Sequence, residues 1–357
     1  MLKRLLYTVA LITLLHNTSA QVKFYPAKQF TMVGKAQETD SFYHRLDTNK
    51  YKGLPKRVTQ LLANTAGLAI SFKTNSTSIS AKWCVSRSRP NQYLTPIANK
   101  GLDLYVKIDG KWQFAGVGKN TALCSDEVII NNMDNTEKEF LLYLPLYDVI
   151  RQLEIGVDSK AKIETGINPF RHKILIYGSS IVQGASASRP GMAYPAKLSR
   201  LSGINFINLG FSGSAKMEPE VADMVASVDA DAYILDCVPN ANAQEIKQRT
   251  AYLVNAIRKK HPKAPIIVMQ SVIRERGYVD KKMGEAVRNQ NLAIQNEVLK
   301  LLQANVKDLY FITSEKMLGF DHEGSIDGTH PNDLGFERMV NYIYPIIKET
   351  LSKHGIN

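Results

Sequence analysis

A serine and a histidine far apart in the chain carry the first chemical suggestion. Tyr177-Gly178-Ser179-Ser180-Ile181-Val182-Gln183-Gly184 follows an apolar run. A serine at a strand-to-helix turn exposes its hydroxyl at the edge of a sheet, where the N–H groups of the turn face whatever binds. Read alone, the segment serves equally well as a Gly-Ser connection. Asp327-Gly328-Thr329-His330-Pro331 shifts the balance. Acyl transfer needs an imidazole to take the serine proton and a carboxylate to orient that imidazole and stabilise its charged form. Asp327, three residues before His330, brings both groups on one loop. Of the seven histidines, His16 lies in the leader, and His44, His172, His261, His322 and His354 lack such an arrangement. Two middle segments, Asn208-Leu209-Gly210-Phe211-Ser212-Gly213 and Asp236-Cys237-Val238-Pro239-Asn240, add donors for an oxyanion. Gly210 allows close backbone approach and offers an N–H; Asn240 offers a neutral amide. Each alone reads as a turn. Together they supply donors fixed before the charge develops, and one such donor is worth about 2.7–4 kcal/mol at the transition state.

These residues need a frame that brings their loops together. From Lys173 onward the chain alternates apolar strands (174–177, 206–209, 232–235, 266–269, 309–312) with amphipathic helices (193–201, 218–226, 243–260, 279–303 and about 334–351). The alternation predicts a parallel sheet with helices on both faces, and such sheets bind ligands beyond the carboxyl ends of their strands. Every chemical segment falls at such an end. Residues 21–165 differ: short β-rich runs broken by turn residues, including 67–72, 78–83 and a hairpin around Asp109-Gly110, predict a β-sandwich. Residues 159–171, where the alternation stops and Gly166, Asn168 and Pro169 intervene, read as the linker.

Residues 1–20 read as an export signal: Lys3 and Arg4, an apolar core over 5–15, then Thr18 and Ala20 before Gln21. A mature chain of 337 residues remains (357 − 20), long enough for two domains, 21–165 and 172–357. Export points to a periplasmic or extracellular site, and no later stretch is long and apolar enough to span a bilayer. The net charge of +12 falls to +10 without Lys3 and Arg4 (12 − 2), and its basic residues are scattered. That pattern favours solubility and a mild pull toward anionic polymers, and no nucleic-acid motif accompanies it. The three cysteines form no metal-binding cluster, and no cofactor or metal is expected. Cys84 and Cys124 are open to two readings, one disulfide or two free thiols packed as small apolar groups; Cys237 sits in an apolar strand.

The four chemical segments, in this order, resemble the blocks of the SGNH/GDSL hydrolase superfamily. Ser180 matches the block I serine, Gly210 the block II glycine, Asn240 the block III asparagine and His330 the block V histidine, with Asp327 three residues earlier. The resemblance implies a flavodoxin-like three-layer α/β/α domain. It also implies a catalytic Ser180, His330 and Asp327, and an oxyanion hole from Ser180, Gly210 and Asn240. Ser179 stands where the family's signature has aspartate, so the turn there must be supported differently. Gly178-Ser179-Ser180, Gln183-Gly184 and 187–192 further resemble the GDSL-like lipase/acylhydrolase branch common in gut Bacteroidetes. Members of that branch carry an N-terminal β-domain with a Gly-x-Asp-Leu-Tyr motif, here Gly101-Leu102-Asp103-Leu104-Tyr105. The implied activity is exported ester hydrolysis, with a small-molecule or glycan ester as substrate. Acetyl esters of carbohydrates are preferred, with a lipid or phospholipid acylhydrolase, or an inactive carbohydrate-binding surface protein, as alternatives. Arg189 is open to contact with an acidic or polyhydroxyl substrate or to a structural salt bridge, and Asp103 and Tyr105 read as packing residues. No oligomeric state follows from the sequence.

Overall fold

The computed structural model describes residues 21–86, 93–120, 122–315 and 317–357; the expected export signal, 1–20, lies outside them. The N-terminal region runs β1 (Val22–Pro26), β2 (Thr31–Val33), α1 (Lys56–Leu62), β3 (Ala69–Thr74), β4 (Ile79–Val85), α2 (Pro96–Lys100), β5 (Leu102–Ile108), β6 (Lys111–Gly118), β7 (Cys124–Ile130), β8 (Lys138–Tyr143), β9 (Ile150–Asp158) and β10 (Ile163–Thr165). The strands form two antiparallel sheets, ordered β1-β9-β4-β7 and β10-β3-β8-β5-β6, with β2 also pairing β3. Side chains alternate across a strand, so Ile79, Ala81, Trp83 and Val85 of one sheet meet Ile70, Phe72, Phe140 and Leu142 of the other in a shared core. Strand β8 is apolar on both faces because Leu141 and Tyr143 point the other way, into a cluster with Phe170 and Ala196. The sandwich is thus covered on that side by the C-terminal region. Cys84 and Cys124 sit opposite each other on β4 and β7 and are joined in a disulfide.

The C-terminal region runs β11 (Arg171–Gly178), α3 (Ser180–Gln183), α4 (Tyr194–Ser202), β12 (Ile204–Gly210), α5 (Pro219–Ala226), β13 (Ala232–Asp236), α6 (Ala243–Lys260), β14 (Ile266–Met269), α7 (Lys281–Gln303), β15 (Leu309–Ile312) and α8 (Asp333–Ser352). The five strands are parallel in the order β12-β11-β13-β14-β15. Helices cover both faces, so β11 is buried continuously from Ile174 onward: Leu175 and Tyr177 enter one core with Val225, Leu253 and Val298, while Ile174 and Ile176 enter the other with Leu198 and Phe336. The chain leaves β11 for β12 on one side and returns to β13 on the other. Strand order therefore reverses at the carboxyl end of β11, where α/β sheets open a crevice. No helix among the described residues is long and apolar enough to cross a membrane.

Two expectations need correction. The stretch read as linker contains β10, whose Ile163, Glu164 and Thr165 pair with Thr74, Lys73 and Phe72 of β3. The region read as purely β contains α1. Its apolar positions Val58, Leu61 and Leu62 fit one helical face, but seven residues are too few for the period to stand out. That face packs, with Ala36 and Leu46, into the core built on Leu175 and Tyr177.

Candidate active site

The switch point carries Ser180. Ser179 caps α3, its hydroxyl accepting from the N–H of Ile181 at 3.2 Å. This supplies the turn support that an aspartate would otherwise give. The chain then folds back through Gly184 in the left-handed conformation. Ser180 is nearly buried, at 7% exposure. Its Oγ lies 2.9 Å from Nε2 of His330, and Nδ1 of His330 lies 2.8 Å from Oδ2 of Asp327. The other Asp327 oxygen accepts from the N–H groups of His330 and Thr329, at 2.8 and 2.9 Å. Burial raises the Asp327 carboxyl, but the two N–H groups and the His330 ring outweigh it and hold the group below its ordinary value. A charged carboxylate here selects the imidazole tautomer with its proton on Nδ1, leaving Nε2 as acceptor for the serine proton.

The oxyanion side differs from expectation at one residue. Gly210 is closed in: its N–H donates to Asn208 Oδ1 at 2.9 Å, and a Cβ there would stand 2.1 Å from the Gln183 nitrogen. Its smallness serves close packing of β12 against α3, and its N–H is spent inside the loop. Three residues on, Gly213 has φ of 71° and open space around its Cβ position. The N–H groups of Ser180 and Gly213 have no partner among the described residues. Asn240, on a 3₁₀ turn after β13, accepts from Ala215 N–H through Oδ1 at 3.3 Å, which leaves its amide nitrogen free to donate.

Arg189 is engaged by the N-terminal sandwich. Its Nη1 lies 2.9 Å from each Asp103 carboxylate oxygen and 2.6 Å from the Tyr105 hydroxyl, and its guanidinium stacks 4.3 Å from the Phe114 ring centre. Asp103 is fully buried and also accepts from Gly191 N–H at 2.7 Å. Burial raises the Asp103 carboxyl against the pull of Arg189, Gly191 and Arg200. Arg200 lies 4.0 Å from the Tyr105 ring centre. The Gly-x-Asp-Leu-Tyr segment therefore fastens the sandwich to the loop after the nucleophile: Leu104 faces the sandwich core, and Asp103 and Tyr105 face the loop. Arg189 thus makes the salt bridge that was one of its two readings in the sequence.

Three groups near the site were given no role in the sequence reading. Tyr147 donates from its hydroxyl to the Ser180 carbonyl at 3.3 Å and meets Ser212. Gln183 accepts from Ser212 N–H at 3.0 Å and donates to Asn64 and to the Leu146 carbonyl. Arg274, on the loop after β14, donates to the Pro239 carbonyl at 2.9 Å; burial pulls it below its ordinary value against the attraction of Asp327. Of these, Gln183 had a positional signal in the segment of Ser180 and Arg274 one after the carboxyl end of a strand, while Tyr147 had none.

Comparison with known proteins agrees with this architecture. A sequence model of the GDSL-like lipase/acylhydrolase family matches residues 171–348, and one for the N-terminus of esterases of the SGNH-hydrolase type matches residues 22–163. No curated protein matches the chain. A crystal structure described as a GDSL-like lipase from Bacteroides ovatus is 55% identical, with 93% of this chain and 98% of that one covered and a TM-score of 0.92. A salicylyl-acyltransferase from a tetracycline biosynthetic pathway is 18% identical, covering 94% and 98% at a TM-score of 0.71. An acetyl xylan esterase from the rumen bacterium Butyrivibrio proteoclasticus is 11% identical, covering 94% and 99% at 0.55. The last two share the fold alone.

Proposed function

The chain belongs to the GDSL-like lipase/acylhydrolase family and hydrolyses ester bonds; from that premise we propose an exported serine esterase that removes small acyl groups, acetyl above all, from carbohydrate esters. The observation that carries the mechanism is the hydrogen-bonded chain Ser180–His330–Asp327, at 2.9 and 2.8 Å. In this reading Nε2 of His330 accepts the Ser180 proton as Oγ attacks the ester carbonyl. The tetrahedral oxyanion takes hydrogen bonds from the N–H groups of Ser180 and Gly213 and from the Asn240 amide. Collapse expels the alkoxide, which His330 protonates. Water then repeats the sequence on the acyl-enzyme and frees Ser180. Asp327 stays ionised throughout and holds the imidazolium.

The substrate class extends beyond the chemistry. Proteins of this two-part architecture include an acetyl xylan esterase, which supports a small acyl group on a glycan as the first substrate to test. Export is supported by residues 1–20 and by the Cys84–Cys124 disulfide, a bond that persists in oxidising compartments. The division into a sandwich domain over 21–165 and a hydrolase domain over 172–357 belongs to the same proposal. The esterase reading is tested by acetate release from a panel of acetylated glycans by the wild type and by Ser180→Ala. Acetate release that depends on Ser180, with fast turnover of p-nitrophenyl acetate and little of the decanoate, is expected. Preference for the decanoate would move the substrate to lipids, and no turnover of either would leave a binding protein.

A further inference from the structure

Arg45 is 1% exposed, at the point where the N-terminal region meets the end of β12. Its Nη1 donates to the carbonyls of Asn208 at 2.9 Å and Gly210 at 3.0 Å, and its Nη2 donates to the carbonyl of Leu61 at 2.6 Å. The guanidinium lies 5.3 Å from the Phe211 ring centre. No carboxylate pairs with it among the described residues, and its Nε has no partner. Burial lowers it to about 9, still a cation at neutral pH. An unneutralised buried charge is costly, and well-packed apolar side chains usually serve stability better. Its position suggests what it does instead. The carbonyls it clamps belong to the strand end that opens into the Phe211–Gly213 loop. That loop is also held by Gln183 through Ser212, and Gln183 leans on Asn64 and Leu146 of the N-terminal region.

We propose that Arg45 is a positioning residue for the hydrolysis proposed above, and the inference rests on that reading: its fork clamps the Asn208 and Gly210 carbonyls and so fixes the loop that presents the Gly213 N–H to the oxyanion. It also sets a positive charge behind that loop, in a low-dielectric surround where such charge acts strongly. The N-terminal region then works as part of the catalytic frame. A loop freed by even a small displacement loses rate in the chemical step while substrate binding is little changed.

The test compares the full-length wild type with Arg45→Lys and Arg45→Met on p-nitrophenyl acetate. It reads kcat and KM separately, together with the affinity for phenylboronic acid, whose tetrahedral adduct on Ser180 mimics the oxyanion state. Lysine keeps the charge but cannot span three carbonyls. We expect kcat to fall about 10-fold in Arg45→Lys and about 100-fold in Arg45→Met, with KM within about threefold and boronate affinity falling in step with kcat. If Arg45→Met does not fold, Arg45→Lys decides alone. A folded Arg45→Lys with unchanged kcat and boronate affinity overturns the role of Arg45 while leaving the esterase intact. A wild type with no esterase activity, or activity that survives Ser180→Ala, removes the underlying reading and this inference with it.

Discussion

The two loops that meet at Ser180 are held in opposite ways. The Asp327–His330 loop is held mainly by its own residues: Asp327 accepts from its neighbours Thr329 and His330 and orients the ring of the same His330, and the backbone contact from outside is the Arg276 N–H donating to the Gly328 carbonyl at 3.2 Å. The loop after β12 is braced from afar, by Arg45, by Gln183 and, through Gln183, by Asn64 and Leu146. Chemistry that needs one side chain in one orientation can be packed into four residues. A backbone N–H aimed at a point in space needs the whole loop fixed, and that takes contacts distant in sequence.

The largest effect that tests this contrast lies on the local loop. Asp327→Asn keeps an acceptor for the two N–H groups but favours the wrong imidazole tautomer. Its kcat should fall by about 10⁴-fold with little change in melting temperature, as measured by steady-state kinetics beside thermal unfolding. A comparable loss of stability would mean that the Asp327 carboxylate holds the wider fold as well as the ring. On the braced side, Asn240→Ala removes one donor and should cost about 10²- to 10³-fold in kcat with KM nearly unchanged. An effect confined to KM would move Asn240 from the oxyanion to the ground state.

Arg189→Ala should separate fastening from substrate contact. It strands the buried Asp103 carboxylate, and the expected loss is about 3 kcal/mol in chemical denaturation, with KM for small esters unchanged at a permissive temperature. A raised KM without a stability loss would return Arg189 to the substrate. The smallest expected effect belongs to Asp236, which closes β13 beneath the site. Burial, opposed by the Tyr194 hydroxyl, raises it to about 7. The folded chain therefore keeps a proton that the unfolded chain releases near the ordinary carboxyl value. Stability contributed by this group is present at low pH and is lost as pH rises toward about 7. Between about pH 5 and about pH 7 the loss should be roughly 2 kcal/mol, and it should vanish in Asp236→Asn. A variant that keeps the slope would place its origin elsewhere.

What could be read from the sequence follows the same contrast. The parallel sheet and its helices were legible because each element is long and periodic: β14, β15 and α6 lie at the bounds the apolar pattern marks. The meeting of Ser180, Asp327 and His330 was legible because their spacing is local or sits at a strand end. The choice between Gly210 and Gly213 was not, since both glycines share one segment and only packing against Gln183 closes the first. Helix α1 and Arg45 were hidden for a related reason. A seven-residue helix barely shows a period, and an arginine in an irregular stretch looks like a surface residue until its carbonyl partners are placed. The disulfide was open until strands β4 and β7 put Cys84 opposite Cys124.

In the proposed reaction His330 activates the hydroxyl of Ser180 as a nucleophile. Phosphonylation by a p-nitrophenyl phosphonate, mapped by peptide mass spectrometry, tests it most directly. A single adduct on Ser180 is expected, formed with release of one equivalent of p-nitrophenol, absent in Ser180→Ala and strongly slowed in His330→Ala. An adduct on another residue, or a Ser180 adduct formed just as fast without His330, would contradict it.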